Sequence, residues 1–167
     1  MLRRATTDLL GVARWTPAAF RRATGGRITL IRARECPIVT DDVGVRYPLL
    51  GLYDAGQRTL TVNDWNLDER TGGEVAGRRV FLHELAHAWD GRSRYWLSWG
   101  LRWLPGERAS GYAGSSRFED WADAVMGAVY GADPGHTAFD RDERGRPSPR
   151  LRYVRRAFAR YRRGAAR

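Results

Sequence analysis

The sequence predicts an α+β fold: a small mixed sheet with an edge strand, packed on a helix that carries His-Glu-x-x-His, and a second ligand-bearing helix. Three observations carry this expectation. Leu50–Tyr53 and Thr59–Asn63 alternate like strands around a Gly-containing connection of hairpin length. Val80–Asp90 is an apolar run of helical length interrupted by His83, Glu84 and His87. Arg117–Tyr130 has helical apolar spacing, with Glu119 and Asp123 four residues apart on one face.

In chain order, Thr6 or Thr7 is expected to cap a short amphipathic helix through Val12. Thr16-Pro17 reads as N-cap and first-turn proline of a second helix, Ala18 to Thr24, ended by Gly25-Gly26. Arg27–Ile31 follows as a strand. Residues 35–48 contain Pro37 and Pro48, which argue against long regular elements. The hairpin comes next, then a polar loop over 64–73, then the main helix from about Glu74 to Asp90 with Gly91 as its stop. In the segment 95–104, Trp96, Trp99 and Trp103 fall on one helical face. That face fits packing against the core, or a wall or contact surface beside the site. Ser115 or Ser116 caps the 117–130 helix, and Ala132–Gly135 breaks it. After a polar linker over 141–149, Leu151, Val154, Phe158 and Tyr161 form an apolar stripe on a final Arg-rich helix.

A chain of 167 residues with 43 % hydrophobic content can build a substantial core, which excludes wholesale disorder. No stretch approaches the 18 apolar residues of a membrane span. The basic start Met1–Arg4 resembles a signal peptide, but Asp8, Arg14, Arg21 and Arg22 interrupt any apolar core, so a cytoplasmic location is expected. Cys36 is the single cysteine and permits no internal disulfide. Charge is unevenly placed. Residues 1–34 hold 8 Arg against 1 acid, residues 141–167 hold 11 against 2, and residues 35–140 hold 10 against 16. The organisation expected is therefore a catalytic body over 1–140 with a basic N-terminal helical region, followed by a basic linker and helix over 141–167. Basic ends suit nucleic acid or an anionic membrane, although the ordinary reading is a solvated face.

On a helix, His83 and His87 lie one turn apart and can aim two imidazoles at one point, with Glu84 beside them. Two neutral imidazoles and a carboxylate near a polarised water are what a hydrolytic zinc ion (Zn2+) needs. From composition alone the motif is expected by chance about 0.2 % of the time. A catalytic zinc usually has a third protein ligand. His87 is followed by Ala88-Trp89-Asp90-Gly91, without the Gly and third His of a metzincin, and His136 lies beyond a breaker. Glu119, Asp120 and Asp123 offer carboxylates instead; Asp120 is read as exposed.

The segment Ser110–Asp123 resembles the second motif of anthrax lethal factor-like zinc peptidases, and the Mlc titration factor peptidases carry a similar one. The octet His83–Asp90 also resembles that family's first motif, including the trailing Asp90. The resemblance covers roughly residues 50–130. It implies a zincin-like fold of gluzincin type, with Glu119 as third zinc ligand and Tyr112, seven residues before it, as donor to the developing oxyanion. Asp123, in place of the family's second Glu, would bond a ligating imidazole, and Asp90 would support the site. Asp120 stands where the family has an aromatic. Each residue also has a plainer reading: Glu119 as a helix-start acid, Tyr112 as a packing aromatic, Asp90 as a cap.

The function expected is hydrolysis of a peptide or protein substrate, with Glu84 as general base. The substrate would add as a strand along Thr59-Leu60-Thr61-Val62-Asn63, read as the edge. The alternatives are a basic nucleic-acid-binding module keeping a structural or vestigial metal site, and a toxin or effector metallopeptidase domain.

Overall fold

Leu60 and Val62 point from one face of a central strand into the core, and everything that positions the site is stacked from there. The computed structural model describes residues 2–35, 37–40, 44, 46–63, 73–141 and 144–163. The fold is α+β, with six α-helices and a three-stranded mixed sheet among these residues. The polar loop expected over 64–73 lies, apart from Gly73, outside the described residues, as does Cys36.

Helix α1 (Leu2–Ala13) buries Ala5, Leu9 and Ala13, one residue per turn. It starts earlier than expected, and the Thr6 and Thr7 hydroxyls bond back to the carbonyls of Leu2 (3.1 Å) and Arg3 (2.9 Å) inside the helix rather than capping it. Helix α2 (Pro17–Thr24) has the expected ends: Thr16 Oγ1 accepts the Ala19 N–H at 3.2 Å, and Gly25 closes it at φ 76°.

Strand β1 (Thr29–Ala33) lies two residues later than the sequence suggested. The Arg58 guanidinium takes the carbonyls of Thr24 and Arg27, and ladder pairing begins only at Thr29. Strands β2 (Ile38–Thr40) and β3 (Arg46–Pro48) form a separate antiparallel pair. Strands β4 (Gly51–Asp54) and β5 (Thr59–Asn63) form the expected hairpin, tightened by Asp54 Oδ1 accepting the Gln57 N–H at 2.9 Å. The sheet order is β1-β5-β4, with β5 parallel to β1 and antiparallel to β4.

Helix α3 (Gly73–Arg92) lies against this sheet and also touches α1 and α2, so it buries residues around most of its girth, among them Phe81, Leu82, Leu85, Ala86 and Trp89. Gly91 does not stop it. The helix runs to Arg92, and the chain then turns at Arg94 and Tyr95, both at positive φ. Helix α4 (Trp96–Arg102) follows, then α5 (Arg117–Tyr130), which packs along α3. Ser116 caps α5 by accepting the N–H groups of Phe118 and Glu119.

Helix α6 (Pro149–Arg163) packs Leu151, Val154 and Phe158 into the same core, where Trp15, Trp89, Phe158 and Tyr161 form an aromatic cluster. Trp15 Nε1 donates to the Phe158 carbonyl at 2.7 Å. Asp120, read as exposed from the sequence, is buried. Its two oxygens accept from Arg150 Nη1 at 2.7 and 2.6 Å, a partner thirty residues away that local patterning does not reveal. No helix among the described residues is long and apolar enough to cross a membrane.

Candidate metal centre

Helices α3 and α5 bring His83, His87 and Glu119 to one point. His83 Nε2 lies 2.8 Å from Glu119 Oε2 and 3.1 Å from His87 Nε2, and His87 Nε2 lies 3.3 Å from Glu119 Oε2. Donors at zinc–nitrogen distances of about 2.05 Å on a tetrahedron are about 3.3 Å apart, so this near-equilateral triangle has the size of a divalent metal site. The donor set, two imidazoles and one carboxylate, also suits such an ion.

The register of α5 on α3 is fixed one layer below. Trp121 Nε1 donates to the Ala86 carbonyl at 3.1 Å, between the turns that carry the two histidines, and its ring meets Trp89 edge-on at 4.9 Å. Leu82 and Leu85 hold the opposite side of α3 in the core. The imidazoles therefore project to the side that faces Glu119.

Asp123 orients the first imidazole. Its Oδ1 lies 2.7 Å from His83 Nδ1, so aspartate reaches the ring although it is one methylene shorter than glutamate. Its Oδ2 accepts the Ser110 hydroxyl, and Ser110 Oγ in turn accepts the Ala113 N–H at 3.1 Å. Holding the proton on Nδ1 leaves the Nε2 lone pair for an ion. Without an ion the ring carries two protons. Burial would depress the His83 pKa, but the hydrogen bonds to Asp123 and Glu119 outweigh it and raise it to about 10. Burial works to raise the Glu119 pKa, and the bonds from His83 and His87 overcome this and hold it at about 2.

Glu84 faces the same cleft from the next position on α3. It is buried, and burial raises its pKa against the pull of His83 and His87, while the Tyr53 N–H of β4 donates to it. Its packing against β4 depends on Gly51. A Cβ there would stand 2.7 Å from Val80 Cγ1 and 2.8 Å from Glu84 Cγ. The cleft, about 360 Å³, is bordered by Leu49 and β4 on one side and by Tyr95, Tyr112 and Phe118 on the other. Tyr112 is exposed at its rim, 6.1 Å from the His83 ring centroid.

One expectation is corrected. Thr59, Leu60, Thr61, Val62 and Asn63 are not an edge: β5 is paired on both sides, and Leu60 and Val62 are buried. The strand bordering the cleft is β4. Asp90 is almost fully buried and accepts the Ser98 N–H of α4 at Oδ1 (3.1 Å), which ties α4 to the end of α3. The tryptophans of α4 do not pack inward; its buried face is Leu97, Ser98 and Leu101. His136 lies away from the site, 3.7 Å from Glu107.

Sequence reading missed Ser110, Trp121 and Gly51. Gly51 carried a weak signal, a lone glycine at the start of an apolar strand, which marks close backbone or side-chain approach. Ser110 and Trp121 carried none, because their roles exist only once α3 and α5 are side by side. No family model, curated protein or solved structure matches the chain.

Proposed function

We propose that this protein is a zinc-dependent peptidase of gluzincin type, zincin-like in its packing and similar to the lethal factor-like peptidases named above. The observation that carries the reading is the convergence of His83 Nε2, His87 Nε2 and Glu119 Oε2 in a triangle of 2.8 to 3.3 Å, with a buried carboxylate beside it. Two imidazoles and a carboxylate at these separations match the donor set and the size of a zinc site.

In this reading His83, His87 and Glu119 hold the zinc. When bound, the ion supplies Lewis acidity, which acidifies water towards a pKa of about 7 and polarises a carbonyl. Glu84 takes the proton of the attacking water and delivers it to the departing amine. Its burial supports that exchange by raising its proton affinity towards the working pH. Tyr112 donates its hydroxyl to the carbonyl oxygen as charge gathers there. Asp123 keeps the His83 proton on Nδ1 throughout. An extended peptide lies along β4 across the cleft, in place of the β5 contact that the sequence suggested.

Metal analysis of the purified chain, paired with cleavage of a peptide library, tests the reading. About one zinc per chain and metal-dependent cleavage that is lost in Glu84→Gln are expected. Full cleavage by Glu84→Gln, or by chelated protein, overturns it.

A further inference from the structure

Helix α4 and its C-cap residue Trp103 turn three indoles to solvent. Trp96 and Trp103 are 73 % and 71 % exposed and Trp99 is 42 % exposed, whereas Leu97 and Leu101 on the other face are buried. The surroundings are mainly basic, and the nearest following acid, Glu107, is part-exposed and accepts the Ala138 N–H at 2.8 Å. Residues 91–106 contain Arg92, Arg94 and Arg102 and no acid, and Arg117 of α5 lies 4.6 Å over the Trp99 ring. The acids of the adjoining elements are turned away: Asp90 and Asp120 are buried, and Glu119 faces the histidines.

We propose that this face of α4 docks on the surface of a membrane containing anionic phospholipid. Indoles settle at headgroup depth, where an apolar ring and a polar N–H are both satisfied. Guanidinium groups beside them pair with lipid phosphates. Because no helix among the described residues can span a bilayer, the association is interfacial. Stacked nucleic-acid bases are a poorer fit, since two of the three rings are already engaged. Arg117 covers Trp99, Trp99 stacks on Trp103 at 6.4 Å, and Arg102 lies 5.3 Å from the Trp103 centroid. The face also runs into the cleft wall, because Arg117 spans Trp99 and Phe118, and Phe118 meets Tyr95 at 5.3 Å. Docking would hold the cleft beside the lipid surface. The proposal does not depend on peptidase activity.

The full chain is sedimented with phosphatidylcholine vesicles with and without phosphatidylserine. Binding is expected only with phosphatidylserine and falls as salt is raised. Trp96→Ser with Trp103→Ser, both at exposed positions, should lower partitioning about tenfold or more. Arg94→Gln and Arg102→Gln should each lower it about fivefold. Brominated lipid should quench tryptophan fluorescence of the unmodified chain, a readout that needs no variant. Absence of sedimentation, absence of quenching, or a paired Trp variant that binds vesicles as well as the parent would overturn the proposal. So would a variant that keeps vesicle binding but loses single-stranded DNA binding or self-association.

Discussion

His83 Nδ1 stands 2.7 Å from Asp123 Oδ1, and the other oxygen of Asp123 is held by Ser110, so the ring orientation is set by two side chains on different segments. Such a carboxylate fixes the tautomer and raises the basicity of a ligating imidazole. Asp123→Asn is expected to weaken zinc binding about 10- to 100-fold in a chelator competition. Ser110→Ala, which leaves Asp123 in place but loosens it, should weaken binding less. Undiminished affinity in Asp123→Asn would show that the aspartate is not orienting a ligand.

Glycine at position 51 makes room for the proposed base. A methyl group there would stand 2.7 Å from Val80 Cγ1 and 2.8 Å from Glu84 Cγ, closer than Cβ contacts come, so either α3 or the Glu84 side chain must move. Gly51→Ala should therefore lower kcat while zinc content stays at the parent level, because no ligand is touched. A loss of about tenfold or more is expected, since general-base catalysis is sensitive to small displacements. Parallel loss of zinc would instead assign Gly51 to the fold of the centre.

Proton and metal compete for His83. In chelator-treated protein its pKa is raised from about 6.5 to about 10, so the charged ring contributes stability that is complete below pH about 6.5 and lost as pH rises through about 10. Glu119 is the opposite case. Its pKa is lowered to about 2, so its contribution is present above about 4.5 and lost as pH falls through about 2. Zinc must displace the His83 proton. Binding near neutral pH should release one proton, and affinity should rise about tenfold per pH unit until pH approaches about 10. Calorimetry in buffers of different ionisation enthalpy reads that proton directly; zero release would mean His83 is already neutral.

Much of the site was legible because its spacing is local. His83 and His87 are one turn apart, Glu119 and Asp123 one turn apart, and Ser116 is a cap that any helix of this composition needs. What escaped is non-local. The parallel pairing of β1 with β5 joins residues about thirty apart and makes β5 interior, a fact that alternation within Thr59–Asn63 does not encode. The Trp96, Trp99 and Trp103 spacing identified a face but not the side on which the core lies. Leu97 and Leu101, four apart, were the better guide.

The basic C-terminal helix cannot be removed to ask whether it binds nucleic acid, because Leu151, Val154 and Phe158 belong to the core. Neutralising its solvent-facing arginines is the sound test. Arg152→Gln, Arg155→Gln and Arg156→Gln should leave zinc content and peptide cleavage unchanged. A gel shift seen with the parent and lost in this triple variant would support the nucleic-acid alternative.

The pair that ties this helix to the centre is Asp120 with Arg150. Both side chains are about 95 % buried, and Arg150 also donates to the carbonyls of Leu104 and Gly106. Burial pushes the Asp120 carboxyl up, and the Arg150 hydrogen bonds pull it back. Arg150→Met leaves a buried carboxylate without its cation and should cost about 3–5 kcal/mol of stability in urea unfolding. Adding Asp120→Asn removes the orphaned charge and should recover part of that loss, a coupling that only direct contact produces. Asp120 adjoins Glu119, so the same Arg150→Met variant should also weaken zinc binding. Normal stability in Arg150→Met would mean the pair is not closed in solution.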